Sequence, residues 1–289
     1  MEKKKFRSKK GAERVSLVLI YAILIIISLV WLIPFLMLII LSFRGEQVGM
    51  SVDYLFPKQW SFNNYVRLFT ETKFLTWYGN TLLVSVIVTI VQTVIVLMTS
   101  YALSRLRFKL RKPLMNLMLI LGMFPGFLSM TAVYFVLKEI GLTQNLLGLI
   151  LVYSASSAMQ YYICKGFFDT IPKSLDEAAR IDGASRHTVF LKIILPLAKP
   201  IIIYTILTAF IAPWGEYMFS SFIMLGNDDK FTVAVGMKSW LDNATLMGQE
   251  GYFPIFCAAA VVVSIPITAL FIWLQRYYVE GVTGGSVKG

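Results

Sequence analysis

The sequence predicts an all-α, polytopic membrane protein with six transmembrane helices, and three observations carry that prediction. Of 289 residues, 57% are hydrophobic and only 15% charged, with a mean hydropathy of +0.70, an apolar excess foreign to a soluble domain of this length. Six apolar runs reach the roughly 20 residues a helix needs to cross about 30 Å of hydrocarbon. The basic residues also divide unevenly between alternate connecting segments, 20 of the 27 falling on one side.

The first run, about 15–42, follows Lys3, Lys4, Lys5, Arg7, Lys9, Lys10 and Arg14. A basic patch before an apolar stretch imitates a secretory signal. This run is about twice the length of a signal h-region and no A-x-A-like site follows it, so it reads as an uncleaved anchor. Residues 43–80 form a longer loop, in which Trp60, Phe62, Tyr65 and Phe69 suit an aromatic interface belt or a short helix lying on it. The second run, 81–104, ends at a basic turn of Arg105, Arg107, Lys109, Arg111 and Lys112, after which the third run spans 113–137. The fourth, 146–164, leads into a polar segment holding Lys165, Lys173, Arg180, Arg186, Lys192 and Lys199. The fifth, 200–223, is followed by a second long loop, 224–252, with the alternating stretch "TVAVGM" and the polar "LDNATLMGQEGY". The sixth, 253–275, precedes a tail with Arg276 and Lys288.

By the positive-inside rule this distribution puts both termini in the cytoplasm, and the net charge of +11 reflects membrane topology rather than a nucleic-acid partner. Neither a low-complexity linker nor an internal repeat appears, so residues 1–289 read as one six-span membrane domain. Pro34, Pro125, Pro213 and Pro266 fall inside runs, where each removes a donor and favours a kink. Glu216, after Pro213 and Gly215, is the charge that stands out within a run; it either lines a water-filled path or reaches the interface. Cys164 and Cys257 lack metal-ligand spacing and read as small apolar fillers, and the single histidine, His187, reads as a solvated or interface residue.

The most polar long stretch of the second half is "EAARIDGASRHTVFLKIILP", Glu177 to Pro196. Pro172 ends what precedes it, and Ser174 with Glu177 has the S-x-x-E spacing of a capping box. A helix over 175–182 would be about 12 Å long at roughly 1.5 Å per residue. Its Leu175, Ala178, Ala179 and Ile181 give a compact face, and Asp182-Gly183 supplies a break where a left-handed cap needs a residue without Cβ. Ser185 can start a second helix, whose Val189, Phe190, Ile193 and Ile194 recur near helical spacing. Pro196 and Pro200 mark the bend into the fifth run. Two short helices with small residues at their apex make a knob that can enter a protein groove, whereas a linker packed on its own membrane domain is the plainer alternative.

The same residues resemble the signature of ATP-binding-cassette importer permeases: Glu177, Ala178, Ala179, then Gly183, Ile193, Leu195 and Pro196 at the family's spacing, with "DGA" at Asp182 to Ala184 similar to the carbohydrate branch. "FTVAVGM", "AAAVVVSIPIT" and the terminal "GGSVKG" look like the second permease subunit of maltose and maltodextrin importers, the MalG type. The resemblance implies a type I importer permease fold, with residues 174–196 as the element that couples to the ATPase. It also implies pairing with a homologous permease subunit, two copies of a cytoplasmic ATPase, and sugar delivery by an extracytoplasmic binding protein. In related permeases a similar tail reaches toward the ATPase pair, which assigns Gly284, Gly285 and Lys288 to that contact. The expected cargo is maltose or maltodextrin, with raffinose-like, galactoside or multiple-sugar cargo as alternatives.

An enzyme reading lacks residues to carry it. No H-E-x-x-H, G-x-S-x-G or G-x-x-x-x-G-K-[ST] occurs, so no catalytic site or cofactor is expected and energy must come from a partner. An ion-coupled secondary transporter would need coupling groups within the spans, and a membrane scaffold would leave the signature unexplained.

Overall fold

The computed structural model describes residues 2–46, 54, 56–124, 126–247 and 251–284. Among these the chain is helical, without a strand, apart from an isolated antiparallel bridge between Arg44 and Trp60. It forms two compact units, Met1–Thr70 with Asn243–Val261, and Glu71–Asp242 with Val262–Gly289.

In the first unit, α1 (Glu2–Ser42) carries an apolar stretch, Val15–Ser42, long enough to cross a bilayer, and none of its most apolar window is buried within the protein. A helix apolar all round and uncovered by its own chain needs lipid or another membrane protein around it. The loop after it folds back as α2 (Asn63–Thr70). Asn64 Nδ2 donates to the carbonyls of Ser42 and Arg44 at 3.0 and 2.7 Å, tying α2 to the end of α1. Phe43 meets Phe62 edge-on at 5.1 Å and Tyr65 at 5.4 Å, while Trp60 and Phe62 stay exposed, as an interfacial aromatic cluster does.

The second unit is built around α3 (Phe74–Arg105), a 32-residue helix that packs against the fourth and fifth runs. The third run is a bent pair, α4 (Arg111–Met123) and α5 (Gly126–Glu139); Pro125 between them lies outside the described residues. The fourth is α6 (Leu146–Ala155) and α7 (Ala158–Thr170), bent by 40° at Ser156–Ser157. There follow α8 (Lys173–Ile181), α9 (Arg186–Val189), a π-helical turn at Phe190–Ile194 and α10 (Leu195–Leu197). An 82° turn then leads into α11 (Lys199–Gly215). The fifth run does not continue to residue 223 as one helix: α11 ends at Gly215, and α12 (Met218–Ile223) is a separate piece after a break at Glu216. The helical segments α13 (Val233–Met247) and α14 (Tyr252–Gly284) complete the chain. Among the described residues three helices are long and apolar enough to span a membrane alone, and counting each of the three bent pairs as one span brings the number up to six.

Helices continue through Pro34, Pro213 and Pro266. "TVAVGM" is helical from Val233 onward despite its alternation. Its Gly236 lies so close under the Trp77 ring that a Cβ would overlap it, and Thr81 Oγ1 accepts from Val233 N at 2.8 Å. Lys73 at the N-terminal end of α3 binds Asp228 and Asp229, each at 2.8 Å, and Trp77 Nε1 donates to Asp228 O at 2.8 Å. Cys164 and Cys257 are buried and unpaired, as fillers should be.

Candidate functional site

Residues 172–200 fold into two helical pieces joined at a sharp apex. The first begins two residues earlier than the sequence suggests. Pro172, with φ −57° and ψ 129°, occupies the cap position, so Ser174 is already inside α8 and the expected Ser174–Glu177 capping box does not form. The serine would need the non-helical backbone of a cap residue to reach the early N–H groups. The other end matches expectation in full. Gly183 has φ +85°, its N–H donates to Arg180 O at 3.1 Å, and Ala184 N–H donates to Ala179 O at 2.9 Å. These are the two bonds of a Schellman motif, with glycine where the left-handed residue must be.

The apolar face of α8 is not a core face. None of its residues is buried: Glu177 and Ala178 are exposed, Ala179 is half-buried, and Ile181 beside the apex is 86% exposed. Asp182 and Gly183 are exposed as well. The second piece behaves in the opposite way. Ser185 caps α9 by accepting from Thr188 N at 3.1 Å. Val189 and Ile194 are fully buried in a cluster with Val96 and Leu97 of α3 and Cys164 and Phe168 of α7, with Ile193 and Leu195 packed against it. Pro196, exposed on α10, accounts for the π-turn. It has no N–H to give the carbonyl of Lys192, and Leu195 N–H instead reaches back five residues to Phe190 O.

What holds α8 in place was not legible from the signature. Arg105, the last residue of α3, sets Nε 2.9 Å from Asp176 Oδ2, with the two side chains 4% and 15% exposed. Its Nη2 donates to Ile171 O at 2.8 Å, and Ser104 Oγ donates to Asp169 Oδ1 at 2.6 Å. A cavity of about 340 Å³ opens beside this anchor, lined by six basic and two acidic side chains, among them Arg107, Arg111, Arg180 and Glu177. The net positive lining attracts an acidic group. The sequence signal for the anchor is weak: a basic residue at the end of α3 and, two spans later in the chain, an aspartate in the first turn of α8.

Glu216 does not stand as an unpaired charge in a path. Its carboxylate accepts from Phe219 N at 2.7 Å and Ser220 N at 2.9 Å, which are early amides of α12. It also accepts from Tyr153 Oη at 2.7 Å and from Ser220 Oγ at 3.0 Å. A carboxylate at a helix start satisfies amides that have no partner within the helix, so Glu216 caps the second half of a broken span and fixes Tyr153. Of the tail residues, Gly284 is the last of α14, and Gly285 and Lys288 lie outside the described residues. Among the described residues no group of three or more His, Cys, Asp or Glu could hold a metal ion.

Comparison with known proteins places this geometry. Residues 95–284 match the family described as binding-protein-dependent transport system inner membrane component. The chain is 36% identical to the maltodextrin transport system permease protein MdxG of Bacillus subtilis, over 93% of this chain and 95% of that one. It is 36% identical to the maltodextrin permease MalD of Streptococcus pneumoniae over 98% and 99%, and 34% identical to the galactooligosaccharide permease GanQ of B. subtilis over 93% and 94%. The fold matches a chain of a bacterial ABC transporter involved in import of the acidic polysaccharide alginate. The TM-score there is 0.76, covering 92% of this chain and 98% of that one, at 22% identity.

Proposed function

The chain belongs to the family of binding-protein-dependent transport system inner membrane components, and from that premise we propose that it is one of two permease subunits of an ATP-driven importer of maltose or maltodextrin. Two relatives that align with nearly its whole length carry the maltodextrin assignment, while the galactooligosaccharide relative marks the nearest alternative cargo. Residues 1–289 act as a single permease domain in a heterodimer with a homologous subunit, and sugar arrives from an extracytoplasmic binding protein. Both termini face the cytoplasm, on the strength of the basic-residue bias. Reporter fusions after Lys10 and within 43–80 test this, and an external signal from the first reverses the orientation.

The observation that carries the coupling role is the contrast within residues 174–196. The Glu177–Gly183 half is exposed up to its apolar apex apart from half-buried Ala179, while the following half plants Val189 and Ile194 in a core cluster with residues of α3, α7 and α11. A surface helix with exposed Ala178 and Ile181 and an arrested left-handed turn at Gly183 is shaped to sit in a groove of an ATPase. Ile193, Leu195 and Pro196 seat it, and the basic cavity beside it receives an acidic group of the same partner. The contact of the C-terminal tail with the ATPase pair is assigned to Gly284, Gly285 and Lys288. Reconstitution with the partner permease, the ATPase and the binding protein, followed by a sugar screen for stimulated ATP hydrolysis, tests the assignment. Stimulation by a galactoside but not by maltose or maltotriose replaces the cargo and keeps the importer; uptake without an ATPase removes both.

A further inference from the structure

The break between α6 and α7 holds a polar network that the coupling segment does not explain. Gln92 of α3, 6% exposed, donates from Nε2 to Ser157 Oγ at 2.8 Å and to Gln160 Oε1 at 2.9 Å. Gln160 donates to Thr208 Oγ1 of α11 at 2.7 Å, and Thr208 passes its own proton to Tyr204 O at 2.9 Å. These side chains, with Ser156 and Tyr153, line a cavity of about 190 Å³. Amides and hydroxyls within a membrane span are costly unless they serve a packing or ligand role, and broken helices with unpaired polar capacity are where membrane transporters place their ligands.

We propose that this cavity is a subsite for one ring of a neutral sugar, so that this chain itself holds cargo in the membrane rather than only completing the wall of the path. The inference rests on the sugar-importer reading. Both Nε2 hydrogens of Gln92 are committed, which leaves its Oε1 as an acceptor without a hydrogen bond among the described residues; Gln160 keeps one unused N–H, and Ser156 keeps its hydroxyl. An acceptor, a donor and a hydroxyl side by side match adjacent sugar hydroxyls, each of which both gives and takes a proton. Tyr153 offers a ring face held in one orientation, because its Oη is bonded to Glu216 Oε2 at 2.7 Å and to Ser220 Oγ at 2.6 Å. Glu216 is thereby a positioning residue. No charged side chain of the described residues lines the cavity, which suits an uncharged pyranose and not an acidic polysaccharide. The volume lies below the roughly 300 Å³ at which drug-sized pockets begin, so it takes one ring and not an oligosaccharide.

The test is sugar delivered per ATP hydrolysed, in proteoliposomes holding the full complex with maltotriose-loaded binding protein. Gln160→Leu removes the spare donor and interrupts the network, and the yield of maltotriose per ATP should fall about tenfold, the effect of losing one to two hydrogen bonds, while binding-protein-stimulated ATP hydrolysis persists. Ser156→Ala deletes a hydroxyl that makes no side-chain hydrogen bond among the described residues; it should lower the yield about threefold and carries the test if Gln160→Leu does not assemble. Wild-type yield from an assembled Gln160→Leu complex, or from Ser156→Ala, overturns the subsite and leaves the importer standing. If the wild-type complex moves neither maltotriose nor another neutral sugar, the subsite and the sugar-importer reading fall together.

Discussion

Replacing Asp176 by asparagine removes the charge that faces Arg105 and leaves the rest of α8 nearly unchanged in shape. Arg105 is 4% exposed and cannot turn to water, and its other anchor, the bond from Nη2 to Ile171 O, does not neutralise it. Breaking one side of a buried ion pair costs about 3 to 5 kcal/mol. Because Asp176 is 15% exposed and partly solvated, the lower end applies, about 3 kcal/mol. No residue of α8 is buried, so burial contributes little to its docking and the cost should appear as local opening rather than global unfolding. Amide hydrogen exchange of the 173–181 peptide should accelerate on the order of a hundredfold, at about 1.4 kcal/mol per tenfold, while peptides from α3 and α11 keep their protection. Arg105→Met combined with Asp176→Leu should restore most of the protection, since two apolar residues leave no buried charge. Unchanged exchange in Asp176→Asn, or a double variant no slower than the single one, would refute the reasoning that this pair holds α8.

Three further outcomes follow from the geometry. Gly183→Val forces a β-branched residue into φ +85° where a Cβ would otherwise meet nothing within 4 Å, so the cost, about 1 to 3 kcal/mol, is conformational; ATPase copurification should drop while Gly183→Asn keeps it, and equal copurification of both argues against a left-handed apex being required. Gly236→Ala pushes a methyl into the ring of Trp77, itself 5% exposed and fixed through Nε1, and should destabilise by about 1 to 3 kcal/mol, read as a lower Tm in detergent; an unchanged Tm would show that the ring yields. The Lys73–Asp228–Asp229 clasp sets a pH window: the hydrogen bond from Lys73 holds the Asp228 carboxyl below its usual range, and the hydrogen bonds to Asp228 and Asp229 raise the Lys73 ammonium. The Asp228 contribution is therefore complete above the ordinary aspartate value, about 4, and is lost as pH falls through the lower folded value, whereas the Lys73 contribution is lost only as pH rises through its raised one. Protease resistance of residues 225–231 should decline on acidification below about pH 4, and an identical acid limb in Lys73→Met would exclude the clasp.

Much of this architecture is readable from residue order because the bilayer imposes it. Apolar length locates the spans, and Gly183 and Ser185 announce their turns through backbone chemistry that acts within three residues. What fails to read is set by partners distant in sequence. Ser174 and Glu177 satisfy the spacing of a capping box, but Pro172 starts the helix two residues early and the box is left inside it. Glu216 reads from its own neighbourhood as lining a path or reaching the interface; Tyr153, 63 residues away, and the open start of α12 make it a cap. Gln92 and Gln160 are unremarkable singly in "TIVQTVIV" and "SSAMQYYI", and acquire meaning only where the bend at Ser156–Ser157 brings α3 and α7 together.

The two candidate sites share their helices, and that bears on how one could act on the other. Val189 and Ile194 of the proposed coupling segment are buried against Val96 and Leu97 of α3, Cys164 and Phe168 of α7 and Ile201 of α11. The polar network uses Gln92, Gln160 and Thr208 on the same three helices. At about 1.5 Å per residue, the two sets are separated by roughly 6 Å along α3 and α7 and roughly 10 Å along α11. A packed core deforms little, so a displacement of the coupling segment is delivered to the network through one to two helical turns rather than across the protein. The Arg105–Asp176 pair fastens α8 to α3 in that same body, leaving the apex at Ile181 and Gly183 as the part free to be gripped. The variants should then separate in kind. If the apex is the proposed ATPase contact, Gly183→Val should lower ATPase stimulation together with transport, whereas Gln160→Leu, away from that contact, should lower the sugar carried by each ATP.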